Sequence, residues 1–234
     1  MEKLVYLLWQ GNSNDTNGKE DWHVALRELL VPELRAAGAS RLRLNLADRD
    51  IEPAQALRLT TRPPAPDAMV SLWLDSASQR RPVEAALLRR ATSIAGYAVC
   101  ESEPLRNTLY PPGEGERCHG MNHVVFLQIP PRLDREQWQD LWLEQHTPTA
   151  IDTQQTFGYR QNIVVRTLTA DAPRFDAIVE ENFPPAAMRD QNAFYRDESP
   201  ELLKSNQKKM YESCKRFIDF DKMDRLPTSE YNYP

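Results

Sequence analysis

A histidine near the end of an aromatic helix is the residue of this chain best suited to move protons. His146, one of four histidines, stands in WLEQHTP, four residues after Trp142 and two before Pro148. An imidazole titrates near neutrality and therefore transfers protons at cellular pH. We predict His146 as an acid or base and Trp142 as a ligand contact. The alternatives are an imidazole that only caps the helix end and an indole that only packs on a sheet.

A second polar group follows in the stretch GYRQN. Tyr159 and Gln161 are two residues apart on a predicted strand, so they share a face, while Asn162 points the other way. If that face lines a barrel interior, a phenol and an amide would orient a carbonyl or hydroxyl group of a ligand. The alternative is a polar barrel mouth that contacts the opposing sheet. We predict Tyr159 as catalytic and Gln161 as ligand-binding.

His123 is the third predicted catalytic residue. It lies on the predicted strand NHVVFLQI, in phase with Val125 and Leu127, and would be an acid or base if that face is enclosed. The alternative is a strand-end histidine half in solvent. Cys118 and His119 nearby suggest a metal site, but four residues of strand separate the two histidines by roughly 13 Å, too far for one ion. No metal site is therefore expected.

The composition excludes several classes of function. The 234 residues are 41% hydrophobic and 27% charged, enough for a packed core. A net charge of −5 argues against nucleic acid as a partner. No stretch approaches the ~20 apolar residues of a membrane span, KLVYLLW near the start is too short for a signal peptide, and three cysteines make no disulfide framework. The sequence predicts a cytoplasmic protein without a cofactor, since no phosphate loop or dinucleotide fingerprint is present.

The second half of the chain predicts the order strand, helix, strand, strand, helix, strand. Asp134 and Ser199 are the predicted helix N-caps, and Pro148 is expected to end or kink the first helix near His146. The predicted strands are 122–129, 159–168, 175–183 and 229–233, and the helices are 134–146 and 199–218. The first half predicts the same order, with strands at 3–9, 41–47, 68–74 and 96–102 and helices at 21–34 and 82–93.

Two alignments suggest that the halves are copies. Residues 20–34 align with 136–150, placing Trp22 on Trp138 and Pro32 on Pro148 at an offset of 138 − 22 = 116. Residues 67–74 align with 176–183 at an offset of 176 − 67 = 109. The alternative is a chance likeness of two amphipathic helices and two buried strands.

The expected fold class is α+β. We predict two ferredoxin-like βαββαβ units, residues 1–110 and 120–234, joined by the linker 111–119. Their antiparallel sheets would pack face to face as an eight-stranded α/β barrel, because a sheet with helices on one face leaves the other face bare. Either one chain closes this barrel, or each unit pairs with a copy in a homodimer.

The second unit resembles the EthD-like domains of the dimeric α/β-barrel superfamily. The resemblance covers roughly residues 120–234 and is carried by Trp138 through EQHTP, by GYRQN, by DAIVEENF and by FIDFDKMDRLPTSEY. The first unit resembles the family only through Trp22, Pro32 and DAMVSLWL, and has Leu30 where the second has His146. The resemblance implies a small barrel that holds an apolar or aromatic ligand, with relatives that isomerise lactones, cyclise polyketides or oxygenate without a cofactor.

Two functions are compatible with these residues. The first is a cofactor-independent enzyme, isomerase or cyclase, that acts on an aromatic or polyketide-like carbonyl compound by proton transfer, in a catabolic setting. The second is a non-catalytic ligand-binding or accessory protein of an oxygenase pathway. A polar pair in an apolar pocket would favour the enzyme, and a barrel interior filled by side chains the binding protein. For His146→Ala we expect an intact fold without turnover or binding, whereas Leu30 would only pack.

Overall fold

Eight strands form one closed antiparallel barrel in the computed structural model, which describes residues 1–11, 16–196 and 199–234. The strands are β1 Glu2–Trp9, β2 Ser40–Leu46, β3 Ala68–Leu74, β4 Ser93–Leu105, β5 Met121–Leu127, β6 Gly158–Thr167, β7 Ala177–Phe183 and β8 Asp224–Tyr233. Hydrogen-bonded neighbours run β1-β3-β2-β8-β5-β7-β6-β4 around the barrel. One chain supplies every strand, so closure needs no second copy.

Helices cover the outside of the barrel. The α-helices are α1 Thr16–Ala25, α2 Val31–Ala36, α3 Arg81–Leu88, α4 Arg135–Gln139, α5 Thr147–Thr153, α6 Gln191–Phe194 and α7 Pro200–Phe217. Two π-helical segments, Leu26–Leu30 and Asp140–His146, join α1 to α2 and α4 to α5, and short 3₁₀ helices are Arg49–Leu57, Ala77–Gln79, Pro185–Met188 and Phe220–Lys222. None of the helices in the described ranges is long and apolar enough to cross a membrane.

The predicted helix start at Asp134 is confirmed, and its end is not. The Asp134 carboxylate accepts from the Gln137 backbone N–H at 2.8 Å, and the Gln137 side chain accepts from the Asp134 N–H at 3.3 Å. This capping box satisfies two donors that no helical carbonyl reaches. The helix does not end near His146, because it continues through the π segment to Thr153.

The π segment explains how this helix passes a proline. Pro148 lacks an N–H, and its ring would crowd the carbonyl four residues back in a regular α-helix. In the widened π turn the Thr147 N–H instead donates to the Trp142 carbonyl, five residues back. The first half repeats the arrangement, with a π segment directly before Val31 and Pro32. A π-bulge therefore accommodates the proline in each half.

One end of the barrel interior is filled by apolar side chains from both halves. Val5 and Leu7 of β1 and Met69 of β3 belong to the same buried cluster as Phe126 of β5 and Ile178 of β7. These are the contacts expected of a barrel that closes within one chain. Residues alternate along each strand between this interior and the helix-covered outside, which explains why the strands read as nearly continuous apolar runs.

The other end of the interior holds buried charges, the interior charge cluster of Lys3, Arg160, Glu180 and Glu230. Lys3 Nζ lies 3.5 Å from Glu180, and Arg160 lies 3.2 Å from the same carboxylate. Burial disfavours ionisation of Glu180, but Arg160 and Lys3 outweigh it and hold its pKa below the usual value. The cluster joins β1 of the first half to β6, β7 and β8 of the second. Because side chains fill the interior, the expected ligand cavity is not inside the barrel.

Candidate functional site

A pocket of about 300 Å³ lies outside the barrel, between the second-half sheet and the helices that cover it. Its wall is mostly apolar and includes Val125, Val179, Trp142, Met210, Phe217 and Met223. Residues of β5 alternate, so His123 and Val125 face this pocket while Val124 and Phe126 face the barrel interior. The sequence predicted the shared phase of His123 and Val125; only the position of the helices shows which side that phase faces.

Three polar side chains form a row across the floor of the pocket. In the strand register His123 of β5 is opposite Glu181 of β7, and Glu181 is opposite Tyr159 of β6. All three line the pocket and are buried. His123 Nδ1 is 3.9 Å from Glu181 Oε2, beyond hydrogen-bond range. Neither ring nitrogen of His123 has a hydrogen-bond partner among the described residues.

Burial changes the protonation of this row. It raises the pKa of Glu181 to about 8, because the charged carboxylate loses its hydration. It lowers the pKa of His123 to about 3, with a smaller contribution from the positive charge of Arg225. At neutral pH the Glu181 carboxyl is therefore mostly protonated and the His123 imidazole is neutral. A carboxyl whose pKa lies near the working pH is suited to exchange a proton with a bound molecule.

His146 completes the pocket wall together with Trp142. Its Nδ1 lies 2.9 Å from Ser213 Oγ on α7, and its ring centroid is 4.6 Å from that of Phe217. The imidazole therefore does not cap the helix, which continues beyond it. Burial lowers the pKa of His146 to about 4, so the ring is neutral at pH 7. It then offers one nitrogen as acceptor and one as donor, with Ser213 influencing which is which.

Two predicted residues are placed differently from the expectation. Tyr159 faces the helices rather than the barrel interior, and its hydroxyl lies by Trp142 and Thr147. Gln161 shares that face but does not line the pocket. Its Nε2 donates to Thr147 Oγ1 at 2.6 Å, and its Oε1 accepts from Ser102 Oγ at 2.6 Å. Gln161 therefore ties β6 to β4 and to the helix, with both ends of its amide occupied.

Sequence reasoning missed Glu181 as a site residue. The signal was present, since Glu180 and Glu181 are adjacent in the otherwise apolar stretch DAIVEENF. On a strand two consecutive residues face opposite sides, so two acidic residues in a buried strand place one carboxylate on each side. Glu180 enters the interior charge cluster, and Glu181 enters the pocket. Arg225, also on the pocket wall, had no comparable signal.

In the first half of the chain, leucines occupy the positions that correspond to His123, Glu181 and His146. Leu4 of β1 is opposite Leu72 of β3, where the second half has His123 opposite Glu181. Leu30 closes the first π segment, 116 residues before the histidine that closes the second. All three leucines are fully buried in one apolar cluster. The same arrangement of strands and π-containing helix thus packs with aliphatic residues, so packing alone does not require the polar row.

The barrel, its outer helices and a pocket on one half define an α/β-barrel protein of the dimeric α/β-barrel fold. Residues 130–221 match the family model of the EthD domain. The matched range includes the pocket residues Trp142, His146 and Glu181. It leaves out His123 and Arg225. No curated protein sequence matches the chain.

Solved structures share the fold over nearly the whole chain. An anthrone oxidase-like protein superposes with a TM-score of 0.53 and 11% identity, covering 99% of this chain and 93% of its own. A monooxygenase candidate from Lactobacillus acidophilus NCFM has a TM-score of 0.51 and 8% identity, covering 99% and 95%. Chlorite dismutase from Candidatus Nitrospira defluvii in complex with imidazole has a TM-score of 0.50 and 12% identity, covering 98% and 90%. At these identities the likeness concerns the fold.

Proposed function

We propose that this pocket transfers protons on an aromatic or polyketide-like carbonyl compound without a cofactor, as an isomerase or cyclase does. The observation that supports this function is the Glu181 carboxyl, buried between His123 and Tyr159 in an apolar pocket, with a pKa raised to about 8. Leu4 and Leu72 occupy the places of His123 and Glu181 in the first half, so the fold does not require these two polar residues. A volume of about 300 Å³ suits a ligand of one or two fused rings.

The proposed reaction moves one proton from one carbon atom of the ligand to another. The ionised Glu181 takes a proton from the carbon beside the ligand carbonyl, and the bond electrons pass into an enolate. The Tyr159 hydroxyl donates a hydrogen bond to the enolate oxygen. The protonated Glu181 then returns the proton to another carbon, which completes a proton shift with no net oxidation. His123 and His146 are neutral near pH 7, so they orient the ligand by hydrogen bonds and do not act as imidazolium acids.

Deuterium exchange into 2-tetralone, a two-ring aromatic ketone with acidic protons beside its carbonyl, tests this function directly. Proton NMR in buffered D₂O measures how much faster the protein exchanges these protons than the buffer does. We expect acceleration that rises as the pH passes through about 8 and then levels off, because Glu181 becomes ionised over this range. Glu181→Gln should lose roughly a hundredfold or more of the accelerated rate, whereas the surface control Glu212→Gln should keep it. Equal rates for the wild type and Glu181→Gln would refute the proposal.

A second candidate function is ligand binding without chemistry, as in an accessory protein of an oxygenase pathway. The barrel interior favours it, because apolar side chains and paired charges occupy that interior. The two functions separate in the same experiment. A binding protein would hold 2-tetralone without accelerating exchange, and Glu181→Gln would change neither the binding nor the rate.

We also propose how the chain is divided into repeated units. We infer two ferredoxin-like units, residues 1–110 and 120–234, with 111–119 as the linker and the first unit a degenerate copy. The strand orders β4-β1-β3-β2 and β8-β5-β7-β6 support this division, as do the two π segments before Pro32 and Pro148. All three cysteines are free thiols, which supports a cytoplasmic location. A homodimer remains compatible with a barrel that closes in one chain.

A further inference from the structure

Arg225 brings a positive charge to the pocket without a protein partner for it. It lies on β8 beside Val125 of β5 and lines the pocket wall. Among the described residues its side chain takes part in no ion pair, and its Nε is buried with no hydrogen-bond partner. Arg160, by contrast, is fully buried and pairs with both Glu180 and Glu230. A half-buried guanidinium normally finds a carboxylate or carbonyl, because losing hydration without compensation is costly.

The other titratable groups around the pocket leave this charge uncompensated. They come from every element packed there: His123, Tyr159, Glu181, His146, Tyr195, Tyr211 and Cys214. Burial raises the pKa of Cys214 to about 12 and that of Glu181 to about 8, and it also raises the pKa of Tyr159 and Tyr195. The two buried imidazoles are neutral at pH 7. Arg225 is then the one charged side chain on the described pocket wall.

The mouth of the pocket is suited to a flat apolar body. Tyr211 and Phe220 line it and are 56% and 40% exposed, so they are reached from solvent. Their rings are nearly parallel, with an interplanar angle of 12° and centroids 6.1 Å apart. Exposed aromatic faces bind other flat apolar groups favourably. The apolar rings and the single cation together describe a ligand with two different ends.

We propose that the ligand of this pocket is an aromatic carboxylate, whose ring system lies among the apolar side chains and whose carboxylate binds Arg225. The planar guanidinium fork matches a carboxylate with two parallel hydrogen bonds. This inference rests on the proposed function, since it names the substrate class of the same pocket. It adds that the substrate already carries a negatively charged carboxylate before any reaction. This charge is separate from the one that develops on the enolate oxygen.

Calorimetric titration with 2-naphthoate and 2-naphthamide tests the proposal. The two probes share their rings and differ in the charge of one group. We expect 2-naphthoate to bind the wild type at least ~10-fold more tightly than 2-naphthamide at pH 7. Arg225→Gln should abolish this preference, Arg225→Lys should keep part of it, and the matched exposed control Arg81→Gln should keep all of it. Circular dichroism spectra of each variant establish that the fold is retained.

The outcomes separate this inference from the proposed function. Equal affinity for the two probes, or no binding of 2-naphthoate to the wild type, overturns the carboxylate proposal even if deuterium exchange into 2-tetralone is fast. If Arg225→Gln slows that exchange but keeps the preference for 2-naphthoate, the guanidinium serves only the developing enolate, and the proposal is also overturned. Loss of the preference in Arg225→Gln supports it even if the wild type catalyses no exchange.

A pH series gives a second signature. Ionisation of Glu181 above pH 8 would add a negative charge near the bound carboxylate, so wild-type affinity for 2-naphthoate should fall several-fold between pH 7 and pH 9. Affinity for the uncharged 2-naphthamide should change much less. Glu181→Gln should flatten the 2-naphthoate profile while keeping the preference at pH 7.

Discussion

His123 and Glu181 face each other across β5 and β7, with Nδ1 3.9 Å from Oε2, and both are buried without a hydrogen bond between them. A carboxylate and an imidazolium at this distance would form an ion pair. Here burial favours the neutral form of each group, so the pair is a neutral acid beside a neutral base. Such a pair responds to small changes in its surroundings, including a ligand that displaces water or carries a charge.

The first prediction concerns the pH dependence of stability. The pKa of Glu181 is raised in the folded protein from the ordinary value of 4.5 to about 8, so its contribution to stability is complete below pH 4.5 and is lost as the pH rises to 8. Glu181→Gln has no such loss. The free energy of unfolding of this variant, relative to the wild type, should rise by on the order of 1 kcal/mol per pH unit between pH 5 and 8. Urea denaturation at four pH values measures it, and parallel curves would contradict it.

The second prediction concerns His146→Leu, which introduces the residue of the first half. Because Leu30 packs at the matching position, the variant should fold, with stability at pH 7 within about 1 kcal/mol of the wild type. It should lose roughly a hundredfold of any catalysed deuterium exchange, because the ligand loses a hydrogen bond that orients it. The pKa of His146 is lowered to about 4, so the wild type should lose stability relative to the variant as the pH falls from 6.5 to 4. A variant with full activity would remove His146 from the site.

The third prediction concerns the interior charge cluster. Lys3→Met leaves Glu180 with Arg160 as its cation, and Glu180→Gln leaves Lys3 with Glu101 as its carboxylate. Each single change should cost about 1–3 kcal/mol of the free energy of unfolding, whereas the double variant should cost less than the sum. A double-mutant cycle by chemical denaturation measures this coupling. Additive effects would mean that the two charges do not depend on each other.

The fourth prediction compares two glycines with positive φ. Gly120, before β5, has φ +77°, and a Cβ there would lie 1.9 Å from the Phe183 carbonyl oxygen. Gly38 has φ +89° with open space around it. Gly38→Ala should cost roughly 1 kcal/mol for backbone strain alone, and Gly120→Ala roughly 3 kcal/mol or more, because the β5 start must also move away from β7. Thermal unfolding of both variants tests the difference, and similar losses would contradict the close approach.

The local patterns of the sequence predicted the elements well because they reflect local physics. Nearly continuous apolar and β-branched runs located the strands, and the Asp134 capping box located a helix start. The π segment escaped prediction because a proline indicates that a regular helix is interrupted, but not whether the chain stops or widens. Charge pairing across the interior was also hidden, since Lys3 and Glu180 are far apart in sequence and meet only when the barrel closes.

Only part of the candidate site could be predicted, because the sequence pattern of one strand does not show which elements pack against it. His123, His146, Tyr159 and Trp142 were singled out by residue type and spacing, and the structure brings them to one pocket. The face on which they meet depends on where the helices pack, which no strand pattern encodes. Gln161 has the right phase, but Thr147 and Ser102 occupy its amide. The protonation of Glu181 depends on burial from several elements and could not be read from one stretch.

The closure of the barrel also affects how the protein aggregates at high concentration. Each of the eight strands has a hydrogen-bonded neighbour on both sides, so the described sheet presents no free backbone edge to an extended segment of another molecule. Growth into cross-β aggregates from the native state would first require one of these strand pairs to separate. Any self-association of the native protein must therefore depend on contacts between side chains rather than on continuation of the sheet.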